Sequence, residues 1–333
     1  MRSLSYVRAR SVDEAIEAFA AAGNGARYIA GGTNLYDLMK LGIEQPRHLI
    51  DVATLEGADR IDTSGDHLFF GAGALMADVA EDTVVRRDYP VLSESLWKAA
   101  SQQLRNMATV GGNLLQRTRC PYFRNGANGL YPCNKRAPGS GCAAIGGLDR
   151  TQAVFGVSEA CTAVSPGDWP VALTAMDANV ELQGPAGRRV VPISEFYLLP
   201  GETPHLEFGI GPGEIVTGIS VPKTDAGRNS TYLKVRDRES YAFALASAAV
   251  ALTIDGGQVK KAHVALGGIG TRPWRVHEAE LRLTGQTLDR ARALDAARAA
   301  FADATVGKHN AFKIELGVRT LADAIMNAGR KIQ

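Results

Sequence analysis

No apolar run in the 333 residues approaches the length of about eighteen that a helical bilayer crossing needs, so a membrane-spanning helix is excluded. Excess charge is also scarce. A formal net charge of +2 is too small to direct the chain to nucleic acid or to a membrane surface. The opening Met1-Arg2-Ser3-Leu4-Ser5-Tyr6-Val7 has no apolar core of the kind a secretory signal requires. The chain is therefore expected to carry no export signal of its own, and to reach an oxidising compartment only together with a partner that has one. Cysteine is absent outside the segment from Cys120 to Cys161, and Arg117 to Cys142 contains no acidic residue. What remains is ordinary: 45% hydrophobic and 22% charged residues, enough to bury a sizeable core in two or three domains.

Against that background two glycine-rich segments stand out, Ala30-Gly31-Gly32-Thr33-Asn34-Leu35 and Ala108-Thr109-Val110-Gly111-Gly112-Asn113-Leu114. A Gly-Gly step admits positive φ, lets a ligand approach the backbone, and exposes successive N–H groups as an anion-binding nest. One such pair is usually only a turn. Two converging nests would suit a pyrophosphate.

Ser11-Val12-Asp13-Glu14 reads as a capping box opening a helix that stops at Gly23. Tyr28 to Ala30 reads as a strand entering the first glycine segment, and Tyr36 to Leu41 as the helix leaving it. Strands are expected at 48–52 and 67–74, and helices at Met76 to Val84 and Pro90 to Ala99. A helix over Val171 to Met176 precedes strands at 178–182, 188–192 and 214–222. Residues 223–230 form a polar link and a domain boundary. Beyond it, strands over 242–254 and 259–266 turn at Asp255-Gly256-Gly257 and precede helices near 288–303 and 317–328, a compact α+β unit.

The four cysteines, Cys120, Cys133, Cys142 and Cys161, cluster in a segment rich in Gly, Asn, Pro and basic residues. Core cysteines would be scattered among apolar periodicity, and a loop this long in a compact domain is functional or disordered. Four thiolates hold zinc or an iron–sulfur cluster, and Arg117, Arg119, Arg124, Lys135 and Arg136 supply cations that favour deprotonated sulfur. The spacings match neither the short Cys-x-x-Cys pairs of zinc sites nor the ferredoxin run. Cluster, zinc site, and disulfides or no metal all stay open on spacing. The six histidines are dispersed, with no acid or cysteine at ligand spacing.

Ala30 to Leu35, Gly71-Ala72-Gly73-Ala74, Ala108 to Leu114, Ser165-Pro166-Gly167-Asp168, Leu233-Lys234-Val235-Arg236 and Gly267-Gly268-Ile269-Gly270 together run through nearly the whole chain. In this order they resemble the FAD-binding medium subunit of the molybdenum hydroxylases, the xanthine dehydrogenase, carbon monoxide dehydrogenase and aldehyde oxidoreductase group. The resemblance implies an α+β fold. A two-subdomain FAD-binding domain of the PCMH/VAO type would span 1–222, with subdomains at about 1–57 and 58–222 and a Cys-rich cluster loop at about 117–148. A C-terminal α+β domain of the CO dehydrogenase flavoprotein type would span 223–333.

The loop departs from the common family pattern and is similar to the branch typified by bacterial periplasmic aldehyde oxidoreductase, whose flavin subunit carries an additional 4Fe-4S cluster. By that resemblance Cys120, Cys133, Cys142 and Cys161 are the cluster ligands, and residues 30–35 and 109–113 wrap the FAD pyrophosphate and ribityl chain. Thr33, Asn34, Thr109 and Asn113 can each add a side-chain hydrogen bond. Asp168 matches an aspartate that binds ribityl hydroxyls; without the family it reads as a helix N-cap. Lys234 matches a lysine near the flavin's pyrimidine end; without the family it reads as an exposed strand lysine. Tyr241 falls where the family covers the isoalloxazine ring, and otherwise reads as a core tyrosine.

No catalytic residue is expected on this chain. The implied function is electron transfer: from a large molybdenum-cofactor subunit and a small 2Fe-2S subunit, in a heterotrimer, through FAD to an external acceptor. Aldehyde oxidation itself would occur on the large subunit. NAD as the acceptor is a second reading, although the chain has no independent dinucleotide fingerprint, and a zinc-stapled binding protein without redox chemistry is a third. The compartment is expected to be the periplasm by co-export, or the cytoplasm.

Overall fold

The computed structural model describes residues 3–331; Met1 and Arg2 of the N-terminal stretch, and Ile332 and Gln333, lie outside the described residues. Three sheets organise an α+β fold. In the first, Ser5–Arg8, His48–Asp51 and Ala26–Ile29 pair in parallel with His48–Asp51 in the centre. Helix Val12–Ala22 makes the crossover. The Ser11 hydroxyl accepts the Glu14 N–H at 3.1 Å and Gly23 ends the helix at φ 68°, as the capping signature predicts. The Glu14 carboxylate closes on the Arg10 N–H at 2.8 Å, one residue before the cap.

The second sheet is antiparallel, in the order Ile61–Asp62, His67–Gly71, Ile215–Pro222, Asn179–Gly184 and Gly187–Pro192. The chain between its second and third sequence strands carries both the second glycine segment and the cysteine loop. Helices Pro90–Trp97 and Trp169–Ala175 are buried in the core over this sheet. The single helix expected over Met76 to Val84 is two helices, Met76–Glu81 and Thr83–Asp88. Asp82 leaves helical geometry at ψ 132°, and its Oδ1 accepts the N–H groups of Val84 and Val85 at 2.9 Å each, starting the second helix.

The third sheet is antiparallel, in the order Trp274–Arg275, Gln258–Gly267, Ala246–Asp255 and Ser230–Val235. Gly256 and Gly257, at φ 57° and 78°, make the tight turn between its long strands. Successive residues of a strand face opposite sides. Ala249 and Ala251 enter the core shared with the second sheet, whereas Ala248, Val250 and Leu252 enter a second core under helices Arg290–Ala299 and Phe312–Arg330. Among the elements that escaped the sequence reading are Ser5–Arg8, the strand Ser230–Val235 adjoining the polar link, several one-turn helices such as Gln102–Arg105 and Ile193–Phe196, and helix His277–Leu283, which buries only Ala279 and Leu283 and so leaves too short an apolar pattern.

A polar clamp ties the third sheet to the helix over the second. Arg275 Nη1 donates to the Thr174 carbonyl and to Asp177 Oδ1, each at 2.7 Å. Asp177 also meets His263 at 3.1 Å. The sequence showed no acid near this histidine; the fold supplies one.

Candidate cofactor site

Strand Ala26–Ile29 runs into the first glycine segment and helix Leu35–Lys40 leaves it. Gly32 takes the left-handed conformation, φ 71°, which glycine adopts without a Cβ penalty. Among the described residues, the amides of Gly31 to Leu35 donate to no backbone or side-chain acceptor of the protein, whereas the Gly32 and Asn34 carbonyls accept the Tyr36 and Leu38 amides at 3.0 and 3.1 Å. The segment is a nest of free donors, as its sequence implied.

The second segment has the same letters and a different use. Thr109 caps helix Val110–Leu114, its Oγ1 accepting the Gly112 N–H at 3.1 Å. The Val110 amide donates to the Ala74 carbonyl at 2.9 Å and the Gly111 amide to that of Ala72 at 3.0 Å. The expectation of a second amide nest is thus corrected, because the donors are already taken. Glycine serves close approach here: a Cβ on Gly111 would lie 2.6 Å from that of Ala72.

The two segments do converge. A Cβ on Gly31 would lie 1.8 Å from the Met107 carbonyl oxygen and 3.2 Å from Ala108 Cα. Each segment also presents a buried side-chain acceptor without a donor, Asn34 Oδ1 and Asn113 Oδ1. Leaving a buried polar atom unpaired costs on the order of 1–3 kcal/mol, so a matched pair beside a nest of free amides marks a place built for a polar guest.

Asp168 stands at the N-cap position of helix Trp169–Ala175, yet its side chain makes no capping bond. Its Oδ1 accepts the Tyr232 hydroxyl at 2.6 Å and its Oδ2 the Lys234 ammonium at 2.8 Å. Lys234 also donates to the Lys98 carbonyl at 2.9 Å. Its side chain is 1% exposed, which overturns the exposed-lysine reading. Burial pushes the Asp168 carboxyl above its ordinary value, against the pull of Lys234 and Tyr232. A Cβ on Gly167, one residue before, would lie 3.5 Å from Gln116 Nε2, which sets this pair beside the chain just past Asn113.

Tyr241 is an exposed residue in left-handed backbone, φ 54°, rather than a core tyrosine. The Arg238 guanidinium holds its carbonyl, with Nε at 3.1 Å. Two residues on, the Phe243 ring lies 4.8 Å from the Arg119 guanidinium, which itself bonds Asp37 in the helix leaving the first glycine segment.

The four cysteines are free thiols lining one cavity together with Phe123, Lys135, Gln152 and Ala163. Cys133 and Cys142 face each other across an isolated antiparallel bridge. Donors reach the sulfurs: Gln152 Nε2 to Cys120 at 3.5 Å and the Ala163 amide to Cys161 at 3.4 Å. Burial pushes the Cys161 thiol up to about 11, with Lys135 opposing. Among the described residues no three His, Cys, Asp or Glu side chains converge on one ion position.

The loop's cations are mostly engaged elsewhere, which corrects the expectation that they bathe the thiols. Arg117 bonds Glu44 at 2.8 Å and Glu207 at 2.6 Å. Arg119 and Arg124 share Asp37, and Arg136 donates to the carbonyls of Tyr122, Phe123 and Tyr131. A loop without carboxylates takes its counterions from distant segments.

Residues 2–224 match the FAD binding domain in molybdopterin dehydrogenase, and residues 231–328 match the CO dehydrogenase flavoprotein C-terminal domain. The aldehyde oxidoreductase FAD-binding subunit PaoB of Escherichia coli (strain K12) is 47% identical over 334 residues, covering 98% of this chain and 99% of that protein. The glyceraldehyde dehydrogenase medium chain of Sulfolobus acidocaldarius is 28% identical over 285 residues, covering 86% of this chain and 82% of its own. A crystal structure of Cu,Mo-CO dehydrogenase, in its cyanide-inactivated form, contains a chain sharing the fold with a TM-score of 0.78, at 24% identity and 99% coverage of both. With both domains matched in sequence and fold, the chain belongs to the FAD-binding medium subunits of the molybdenum hydroxylase family.

Proposed function

We propose that this chain is the FAD-bearing, iron–sulfur subunit of a molybdenum-dependent aldehyde oxidoreductase. It would assemble with a large molybdenum-cofactor subunit and a small 2Fe-2S subunit, and deliver their electrons to an external acceptor. The aldehyde class is supported by the E. coli relative, whose name states that activity.

The observation that carries the FAD placement is the pair of buried, donorless oxygens Asn34 Oδ1 and Asn113 Oδ1 on segments that touch at Gly31. When bound, FAD supplies reversible uptake and release of electrons. Residues Ala30 to Leu35 offer free amides to a diphosphate, and the Thr33 and Asn34 side chains can add to them. Ala108, Gly111 and Gly112 let the second segment pack closely, with Thr109 holding its turn and Asn113 offering an oxygen to a hydroxyl donor. The Asp168 carboxylate retains lone pairs beyond the two its partners use, and Lys234 pairs with it in a dry setting. Tyr241, exposed beside Arg238, would serve as a surface cover.

The donor set at Cys120, Cys133, Cys142 and Cys161 fits a 4Fe-4S cluster: four free thiols around one space, with N–H donors to sulfur. A zinc ion needs its ligands about 2.3 Å from one centre, whereas the corners of a cluster each take one sulfur. An iron and sulfide assay separates the two readings.

An anaerobic visible spectrum before and after acid release of flavin, with iron and sulfide assayed on the same sample, tests the reading. Released FAD with about four irons and four sulfides per chain is expected. FAD without iron overturns the cluster, and a colourless chain overturns the flavin placement.

A further inference from the structure

The turn that leaves the first glycine segment is built against the cysteine loop along its whole length. Asp37 receives Arg119 Nη1 at 2.9 Å and also Arg124 Nη2. Leu38, next in sequence, is buried in one cluster with Cys120, Phe123, Cys133 and Cys161. The Leu41 carbonyl accepts the Ala127 amide at 3.1 Å, and Glu44 takes Arg117. All of these partners except Cys161 belong to the loop at 117–148.

We propose that the cysteine loop is the outer wall of the FAD turn, so that metal binding at the thiols and FAD binding at Gly31 to Leu35 strengthen each other, with Arg119 and Arg124 as the positioning residues between them. This rests on the cofactor placements proposed above. Two physical links carry it. The first is packing: Leu38 touches the wall of the thiol cavity, and a cavity whose sulfurs are held by metal keeps that wall in place, whereas four neutral thiols lose the bonds that fix their spacing. The second is charge. Two guanidinium groups on one carboxylate leave one positive charge in excess, and Arg119 Nε and Arg124 Nη1 are buried without an acceptor. A diphosphate at the neighbouring amides supplies the balancing charge; without the arginines, Asp37 would repel it. Coupling between two sites is reciprocal by thermodynamic necessity, and typically changes affinity by about 5–150-fold.

The test uses the purified complex, stripped of FAD and titrated with FAD while its fluorescence is followed, in iron-loaded and iron-depleted form. Iron depletion is expected to raise the FAD Kd about tenfold. Arg119→Gln with Arg124→Gln should raise the Kd of loaded protein by a similar factor and abolish its dependence on iron, and Arg119→Lys should restore part of the affinity. In the unaltered complex, FAD should slow removal of iron by a chelator, a readout that survives if the arginine variants misfold. An FAD Kd indifferent to iron and to both arginines, with chelation equally fast in either state, overturns the coupling alone. Absence of FAD binding in the unaltered complex overturns the cofactor placement and the coupling together.

Discussion

The Asp168 carboxylate and the Lys234 ammonium meet at 2.8 Å with 5% and 1% of their side chains exposed, an ion pair almost out of reach of water. Breaking such a pair from one side leaves a buried charge uncompensated, at a cost of about 3–5 kcal/mol. Asp168→Asn, nearly isosteric, should lower unfolding stability by that amount in denaturant titration. Asp168→Leu combined with Lys234→Met should recover much of the loss in the FAD-free chain. A loss for Asp168→Asn under about 1 kcal/mol would show that the pair is open to solvent.

Gly31 and Gly32 are neighbours with different reasons to be glycine. A methyl on Gly31 strikes the Met107 carbonyl at 1.8 Å, while one on Gly32 has room but sits at φ 71°. Gly31→Ala should cost upward of about 3 kcal/mol and abolish FAD retention, by forcing the two segments apart. Gly32→Ala should cost about 1–2 kcal/mol. Equal losses in thermal unfolding of the two variants would refute the close approach.

Asn34 and Asn113 separate stability from binding. Their Oδ1 atoms satisfy nothing in the folded protein, so Asn34→Ala and Asn113→Ala should not destabilise the FAD-free chain and should relieve part of the roughly 1–3 kcal/mol that an unpaired buried acceptor costs. Each should weaken FAD about tenfold, the worth of one hydrogen bond of roughly 1.4 kcal/mol. Calorimetric titration beside denaturant unfolding reads both quantities. Unchanged affinity in both variants would move the flavin elsewhere.

Lys313 is 1% exposed and among the described residues has no carboxylate partner; its ammonium donates to the Gly268 carbonyl at 2.7 Å. Burial, with Arg150 adding repulsion, lowers its pKa from an ordinary 10.5 to about 8. Between those two values the unfolded chain keeps a proton that the folded chain has released, so stability rises with pH across that window, by at most about 3 kcal/mol. Lys313→Met removes this rise. Urea unfolding at pH 7.5 and pH 10 should therefore show the wild-type chain gaining on the variant; parallel curves would place the amine in contact with water.

The first glycine turn was legible because everything that makes it is local: a strand, two glycines, and a helix in succession. The second was misread for the opposite reason. Its amides are consumed by Thr109, Ala74 and Ala72, and the latter two partners lie over thirty positions back in the chain. Lys234 looked exposed because its sequence neighbours do not include Asp168, 66 residues away. Clustering revealed that the cysteines act together, but the carboxylates that absorb the loop's cations, Asp37, Glu44 and Glu207, come from outside it. Local pattern exposes backbone geometry; the ownership of charges is settled by tertiary structure.

The strand Ala246–Asp255 sends alternate side chains into two different cores. A wall common to two rooms cannot be removed from one of them. Residues 231–331 expressed alone would bare the Ala249 and Ala251 face to water, and the remainder would lose Tyr232 and Ala265 from its own interior. The boundary that the sequence draws at its polar link is therefore one of chain connectivity rather than of cooperativity: the two larger units should melt as one.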